Sequence, residues 1–248
     1  MWPWIGPVPT YGILYFAGII LHFLVSWRIA KRYGLKRRVW ITASVCYLIG
    51  MVLGAKLLYD LRHGPLDVTA LFQAEHYMRG GLWGGLLAYW AMAVPTVLLL
   101  AQDKRAALDL IGLSIPVPWI AAKLGCLLNG CCYGKPCSLP WAITFPEVAR
   151  GAPAGVPLHP TQLYESAGEF INFLILIALR KNKSFNGQLF MTYLLLYSVL
   201  RFIVEFFRGD VNRGFIAPQL SVSQGISILM FLIAVAGLIV LRQRNSRA

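Results

Sequence analysis

The chain has 248 residues, 58% of them hydrophobic and only 13% charged, with a mean hydropathy of +0.62. Too little polar surface is available to cover a water-soluble domain of that size, so the composition excludes an ordinary globular protein and specifies an integral membrane protein. The formal net charge of +13 does not indicate nucleic acid, because the cations fall in short segments between apolar runs and no basic stripe interleaved with aromatics occurs.

Apolar runs of about 20 residues recur along the whole length, the pattern of an all-α polytopic bundle; a β-barrel would show short alternating segments. Residues 1–10, rich in Pro and Trp, read as an interfacial lead-in anchored by Trp2 and Trp4. With no basic n-region and no A-x-A site, no cleavable leader is expected. The first span covers about 11–27 and precedes a segment carrying Arg28, Lys31, Arg32, Lys36, Arg37 and Arg38, which places that segment in the cytoplasm. The second, about 40–59, holds Lys56, Tyr59 and Asp60 at spacings that share one helix face. The third, about 81–100, opens with the pairs Gly80-Gly81 and Gly84-Gly85, suited to close helix packing.

The fourth span, about 108–128, contains Lys123 and is expected to break near Pro116 and Pro118. A Pro- and Gly-rich outer region follows over 129–159, long enough to be functional in itself. The fifth, sixth and seventh spans cover about 162–179, 190–207 and 220–241. Fourteen Lys and Arg fall on one side of this arrangement and six on the other, which orients a single seven-span domain, residues 1–248, with its N-terminus outside and C-terminus inside.

The remaining basic residues, Lys56, Lys123 and Arg201, lie within spans. A cation near the bilayer centre costs at least about 2.5 kcal/mol and implies a partner, unless the side chain snorkels to the headgroups. In the sixth span Tyr197, Arg201, Glu205 and Arg208 recur at helical spacing, so one face of an apolar helix carries a phenol, two guanidinium groups and a carboxylate. An Arg–Glu pair that neutralises itself accounts for Glu205; for Arg201 the planar fork of donors suits a phosphate. PLHPTQLYE, residues 157–165, opens the fifth span. There Thr161 or His159 can cap the helix and Glu165 suits its positive end, while His159 is also a candidate proton acceptor. The cysteines are Cys46, Cys126, Cys131, Cys132 and Cys137, an odd count with Cys46 alone in an apolar span as a small core residue. For the rest, a disulfide from Cys131 or Cys132 to Cys137 is a simpler reading than a metal site, which lacks a second CxxC or an obvious fourth ligand. No metal or cofactor is expected.

The segments YGILYFAG (11–18), GAKLLYDL (54–61), GGLWGG (80–85), AAKLGCLLNGCCYG (121–134), PWAITFP (140–146), HPTQLYE (159–165) and YSVLRFIVEFFRGD (197–210) resemble, in order and spacing, those of bacterial prolipoprotein diacylglyceryl transferases. The resemblance implies an inner-membrane enzyme that moves a diacylglyceryl group from phosphatidylglycerol to the thiol of a lipobox cysteine in a prolipoprotein signal peptide, releasing glycerol phosphate. By motif position it makes Arg201 the essential arginine and puts Lys123 where the family has its phosphate-binding arginine. Tyr11, Asn129, Gly134, Tyr197, Glu205 and His159 also fall on motif positions. The family's GRxGNxxNGE motif reads AKLGCLLNGCC here, with Lys123 for arginine, Cys126 for asparagine and Cys131 for glutamate; Trp83 stands where a candidate proton acceptor usually does. Two other readings are a paralogue acting on another lipid or thiol through its cysteines, and a non-catalytic lipid-binding protein.

Overall fold

The computed structural model describes residues 4–5, 8–32, 36–64, 88, 91–92, 95–96, 99–147, 149, 151–210 and 214–246. Most of the third predicted span, with both glycine pairs and Trp83, lies outside the described residues, as do the side chains of Tyr11, Lys56 and Tyr59. The chain divides into two compact units, residues 1–25 with 109–248, and residues 26–108.

The helices are α1 (Thr10–Arg32), α2 (Arg37–His63), α3 (Lys104–Ser114), α4 (Pro116–Asn129), α5 (Thr161–Leu179), α6 (Gln188–Glu205) and α7 (Val222–Ser246). Among the described residues four segments are long and apolar enough to cross a membrane, Gly12–Lys31, Lys104–Asn129, Gln188–Glu205 and Val222–Ser246. α1 continues through Arg28, Lys31 and Arg32, beyond the apolar run expected to end near residue 27. Arg and Lys are good helix formers, so leaving the apolar slab does not by itself stop a helix. The expected break in the fourth span is real: α3 ends at Ser114 and α4 restarts at Pro116, where a missing N–H costs nothing in the first turn.

The architecture is mainly helical but not wholly so. Two-residue ladders pair β1 (Trp4–Ile5) with β2 (Val8–Pro9) and β3 (Ile143–Thr144) with β4 (Pro157–Leu158), and β5 (Phe215–Ala217) pairs with β6 (Leu220–Ser221), all antiparallel. The middle pair closes the Pro/Gly-rich outer region around a small core of Phe145, Ala152 and Leu158.

In α5 the usual amphipathic logic is inverted. Glu165, Glu169, Asn172 and Leu176 are buried, whereas Phe170, Ile171, Leu174 and Ile175 are exposed. A polar stripe inside and an apolar one outside is what a helix needs when its outer solvent is lipid.

Within the larger unit, Asp109 of α3 holds the start of α6. Its side chain is fully buried, and its oxygens accept hydrogen bonds from the backbone N–H groups of Gly187, Leu189 and Phe190 and from Lys183 Nζ, all between 2.9 and 3.1 Å. These are orphan donors of a helix N-terminus, and a carboxylate there also meets the positive end of the helix dipole. α3 approaches closely enough that a Cβ on Gly112 would run into the backbone of Phe190. Asp109→Ala strands several buried donors and leaves Lys183 without its carboxylate. It is expected to cost about 2–4 kcal/mol, read as a lowered unfolding midpoint in detergent, whereas Asp109→Asn, which keeps the acceptor, loses less.

Candidate active site

Lys123 sits in the second half of α4 and is 4% exposed, so it does not snorkel. Its Nζ lies 2.7 Å from Glu165 Oε2 of α5, and 5.4 Å from the centroid of the Trp119 ring one turn earlier on its own helix. The other oxygen of Glu165 accepts a hydrogen bond from Arg208 Nη1 at 3.2 Å. Arg208, just beyond the end of α6, then forks onto Asp210, with Nε to Oδ1 and Nη2 to Oδ2 both at 2.6 Å. One buried carboxylate therefore ties together three chain segments, each bringing a charge that burial alone would make costly.

Glu165 was expected to serve the helix end. Its observed role is different, because Lys123 needs a counter-charge in a place water does not reach, and α5 packs against α4. Neither Thr161 nor His159 caps α5: the N-cap is Pro160, with no side-chain capping bond. Thr161 Oγ1 instead donates to the carbonyl of Cys132 at 2.7 Å, and Gln162 Nε2 to the carbonyl of Cys131 at 2.8 Å.

Arg201 is buried in α6. Its Nη1 lies 2.6 Å from Glu205 Oε2 one turn on, the self-neutralising pair that the spacing implied, and its Nη2 donates to Ser223 Oγ of α7 at 2.9 Å. Tyr197, one turn before it, is buried edge-on against Trp119 with ring centroids 5.8 Å apart. The Tyr197 hydroxyl and the Trp119 indole N–H have no hydrogen-bond partner among the described residues. Two buried donors without acceptors, in mutual contact beside Lys123 and Arg201, are unusual enough to require an explanation.

His159 immediately precedes Pro160, the N-cap of α5. It is half-buried, its Nδ1 is 3.1 Å from the Tyr164 hydroxyl, and its ring packs against Phe207. Tyr164 also accepts from Trp141 Nε1 at 2.8 Å.

The backbone around Gly134 binds the outer loop to both helices. Gly134 N–H donates to the His159 carbonyl, Lys135 N–H to that of Phe207, and Gly209 N–H to that of Tyr133. A Cβ at Gly134 would overlap the His159 carbonyl, so only glycine fits this crossing. Asn129 is the last residue of α4 and half-buried.

The expected disulfide to Cys137 does not form. All five cysteines are free thiols, and the Cys137 N–H bonds to the Pro157 carbonyl in the outer-loop ladder. The cysteines that converge are Cys126, Cys131 and Cys132, whose sulfurs all lie within 4.8 Å of one another. Gly130, at φ 77°, ends α4 in the left-handed conformation and turns the chain back so that Cys131 N–H bonds to the Cys126 carbonyl at 3.1 Å. That reversal pairs residues five apart, which a CxxC search does not test. The Cys132 thiol, beyond the end of α4, is held well below the ordinary thiol range, first by hydrogen bonds from the Cys126 and Cys131 thiols and then by the charges of Lys123 and Arg208.

Fold and site together define a helical membrane protein with a buried cationic centre braced by carboxylates. The family model described as prolipoprotein diacylglyceryl transferase matches residues 4–240. Among curated relatives, the phosphatidylglycerol–prolipoprotein diacylglyceryl transferase of Campylobacter lari is 33% identical, over 91% of this chain and 86% of that protein. Those of Geobacter sulfurreducens and Finegoldia magna are 32% and 34% identical, over 95% and 91% of this chain and 91% and 88% of theirs. The chain belongs to the prolipoprotein diacylglyceryl transferase family.

Of the residues the sequence singled out, Lys123, Tyr197, Arg201 and Glu205 are brought into one buried region. Glu165 and Arg208 complete it and were not among the expected site residues, although both stood inside quoted motifs; the signal was the unmet need of Lys123 for an anion. Glu165→Ala leaves Lys123 and Arg208 buried without their shared carboxylate and is expected to cost about 3–5 kcal/mol. In Glu165→Ala with Lys123→Met the loss should be much less than the sum of the two single changes in thermal unfolding; additive losses would show that the pair is not coupled.

Proposed function

We propose that the chain transfers a diacylglyceryl group from phosphatidylglycerol to the thiol of a prolipoprotein lipobox cysteine. On this reading it is a seven-span protein of the bacterial inner membrane, N-terminus out and C-terminus in, with the lipid and the signal peptide entering from the bilayer. The observation that carries it is the surplus of buried donors around Tyr197. Tyr197 and Trp119 present an O–H and an N–H with no acceptor among the described residues, between two cations of a family whose relatives are named for a phospholipid substrate.

A phosphodiester offers the acceptor oxygens that such a place lacks. Arg201 spends one amino group on Glu205 and one on Ser223, so the carboxylate fixes the plane of the guanidinium and the remaining donor directions serve the phosphate. Lys123, held by Glu165, supplies the second charge as a compact ammonium, without the bidentate fork that arginine would bring. By motif position Asn129, Gly134 and Tyr11 are assigned to the lipid headgroup, and Gly134 permits the loop's close approach to His159. His159 accepts the proton of the incoming thiol.

The reaction joins the cysteine sulfur to the glycerol carbon that carries the phosphate. The carbon–oxygen bond breaks, and its electron pair leaves on the phosphate of glycerol phosphate. Charge grows on that phosphate in the transition state, so fixed cations in a site that excludes water act where they matter most. Purified protein given labelled phosphatidylglycerol and a lipobox peptide should transfer the label. Arg201→Ala and Lys123→Ala should each lower turnover by roughly 10²–10³, and Tyr197→Phe by about tenfold. A folded wild type without transfer, or an Arg201→Ala variant with full turnover, overturns the assignment.

A further inference from the structure

We propose that Cys126, Cys131 and Cys132 form a three-thiolate site for a zinc ion, whose open fourth position takes the lipobox thiol and delivers it as a thiolate. The inference rests on the transferase reading for its role, but not for its existence.

The geometry is that of a ligand set. The three sulfurs lie within 4.8 Å of one another, close to the roughly 3.8 Å edge of a tetrahedron whose zinc–sulfur bonds are about 2.3 Å. They come from the last turn of α4 and the reversal that follows it, so two rigid features set their separation. Cys132 holds φ 61°, a left-handed conformation that a side-chain-bearing residue rarely adopts. The turn is held there from outside the cluster: Thr161 and Gln162 of α5 hold the carbonyls of Cys132 and Cys131, which leaves the side chains to converge.

The charge also suits a metal thiolate. Three thiolates and one divalent zinc carry a net charge of −1, and the Lys123 ammonium and Arg208 guanidinium both act on Cys132. A buried anion of that kind needs cations nearby, and two stand there. With three protein ligands and a vacant position the site has the coordination of catalytic zinc rather than structural zinc.

The chemistry of the proposed reaction is the alkylation of a thiol, and a thiol bound to zinc loses its proton outright. In balanced form, the lipobox Sγ–H gives its proton to the His159 imidazole, and the sulfur joins zinc and displaces the water in its fourth position. Its electron pair then attacks the glycerol carbon, the sulfur–carbon bond forms, and the carbon–oxygen bond breaks toward the phosphate held by Lys123 and Arg201. The thioether product is a poor ligand and leaves, returning the position to water. No oxidant or reductant is needed.

The test uses the full-length protein in detergent with its thiols reduced, loaded with zinc and freed of excess by gel filtration. About one zinc per chain by mass spectrometry is expected, and cobalt in its place should give an intense thiolate-to-metal band in the near-ultraviolet. Cys126→Ser, Cys131→Ser and Cys132→Ser should each lose the zinc and the band, with folding monitored by elution volume and circular dichroism, while Cys137→Ser should retain both. Stripping the zinc should slow diacylglyceryl transfer by roughly a hundredfold, with recovery on its return. Failure of the reduced wild type to hold zinc, retention of zinc by all three serine variants, or a native disulfide within the cluster each overturns the site. Transfer that is indifferent to stripping overturns the thiol-activating role. Zinc bound as expected, with no transfer to any lipobox peptide, supports the site and sinks the transferase reading instead.

Discussion

The structure of the larger unit depends on one buried carboxylate. Glu165 receives Lys123 from α4 on one oxygen and Arg208 from the end of α6 on the other, and its side chain is nearly inaccessible. Two cations would be prohibitively costly in an apolar interior, and an unpaired carboxylate would be as well; together they hold three segments in register. The helices contribute little specificity of their own, since lipid tails are as apolar as their side chains and packing alone selects weakly among orientations. The charged bridge makes one arrangement far better than its neighbours.

Around that bridge the loops act as part of the site rather than as connections. Residues 133–137 pass between His159 and the Phe207–Gly209 segment through backbone hydrogen bonds, at a crossing that only glycine at 134 allows. The end of α4, the start of α5 and the end of α6 are thus knitted at one place, which is also where the sulfurs of Cys126, Cys131 and Cys132 meet. Lys123 and Cys126 are buried, while Cys131, Cys132 and His159 are partly exposed, the last among aromatic residues.

Much of this was legible in residue order. The apolar runs, the Pro116 and Pro118 break and the Arg201–Glu205 pair follow from local rules, because each involves residues within about two helical turns. The anomaly of Lys123 was equally plain. Its partner was not, because Glu165 lies 42 positions away and its motif has a sufficient local explanation as a helix start. Asp109 escaped for the same reason: a single aspartate in an apolar run carries no mark of the distant helix whose first turn it holds. The cysteine pairing was misread toward Cys137 because thiol spacing along the chain does not report the left-handed reversal at Gly130.

By itself the sequence determined that the protein is a mainly helical membrane protein and which residues would be anomalous there. Those properties depend on composition and on periods of a few residues. Only the tertiary structure decided which residues answer one another: Glu165 with Lys123 and Arg208, and Cys126 with Cys131 and Cys132. The physical reason is that burial penalises every lone charge and unmet donor alike, without naming a partner. The choice of partner is a matter of distance, and distance exists only once the chain has folded.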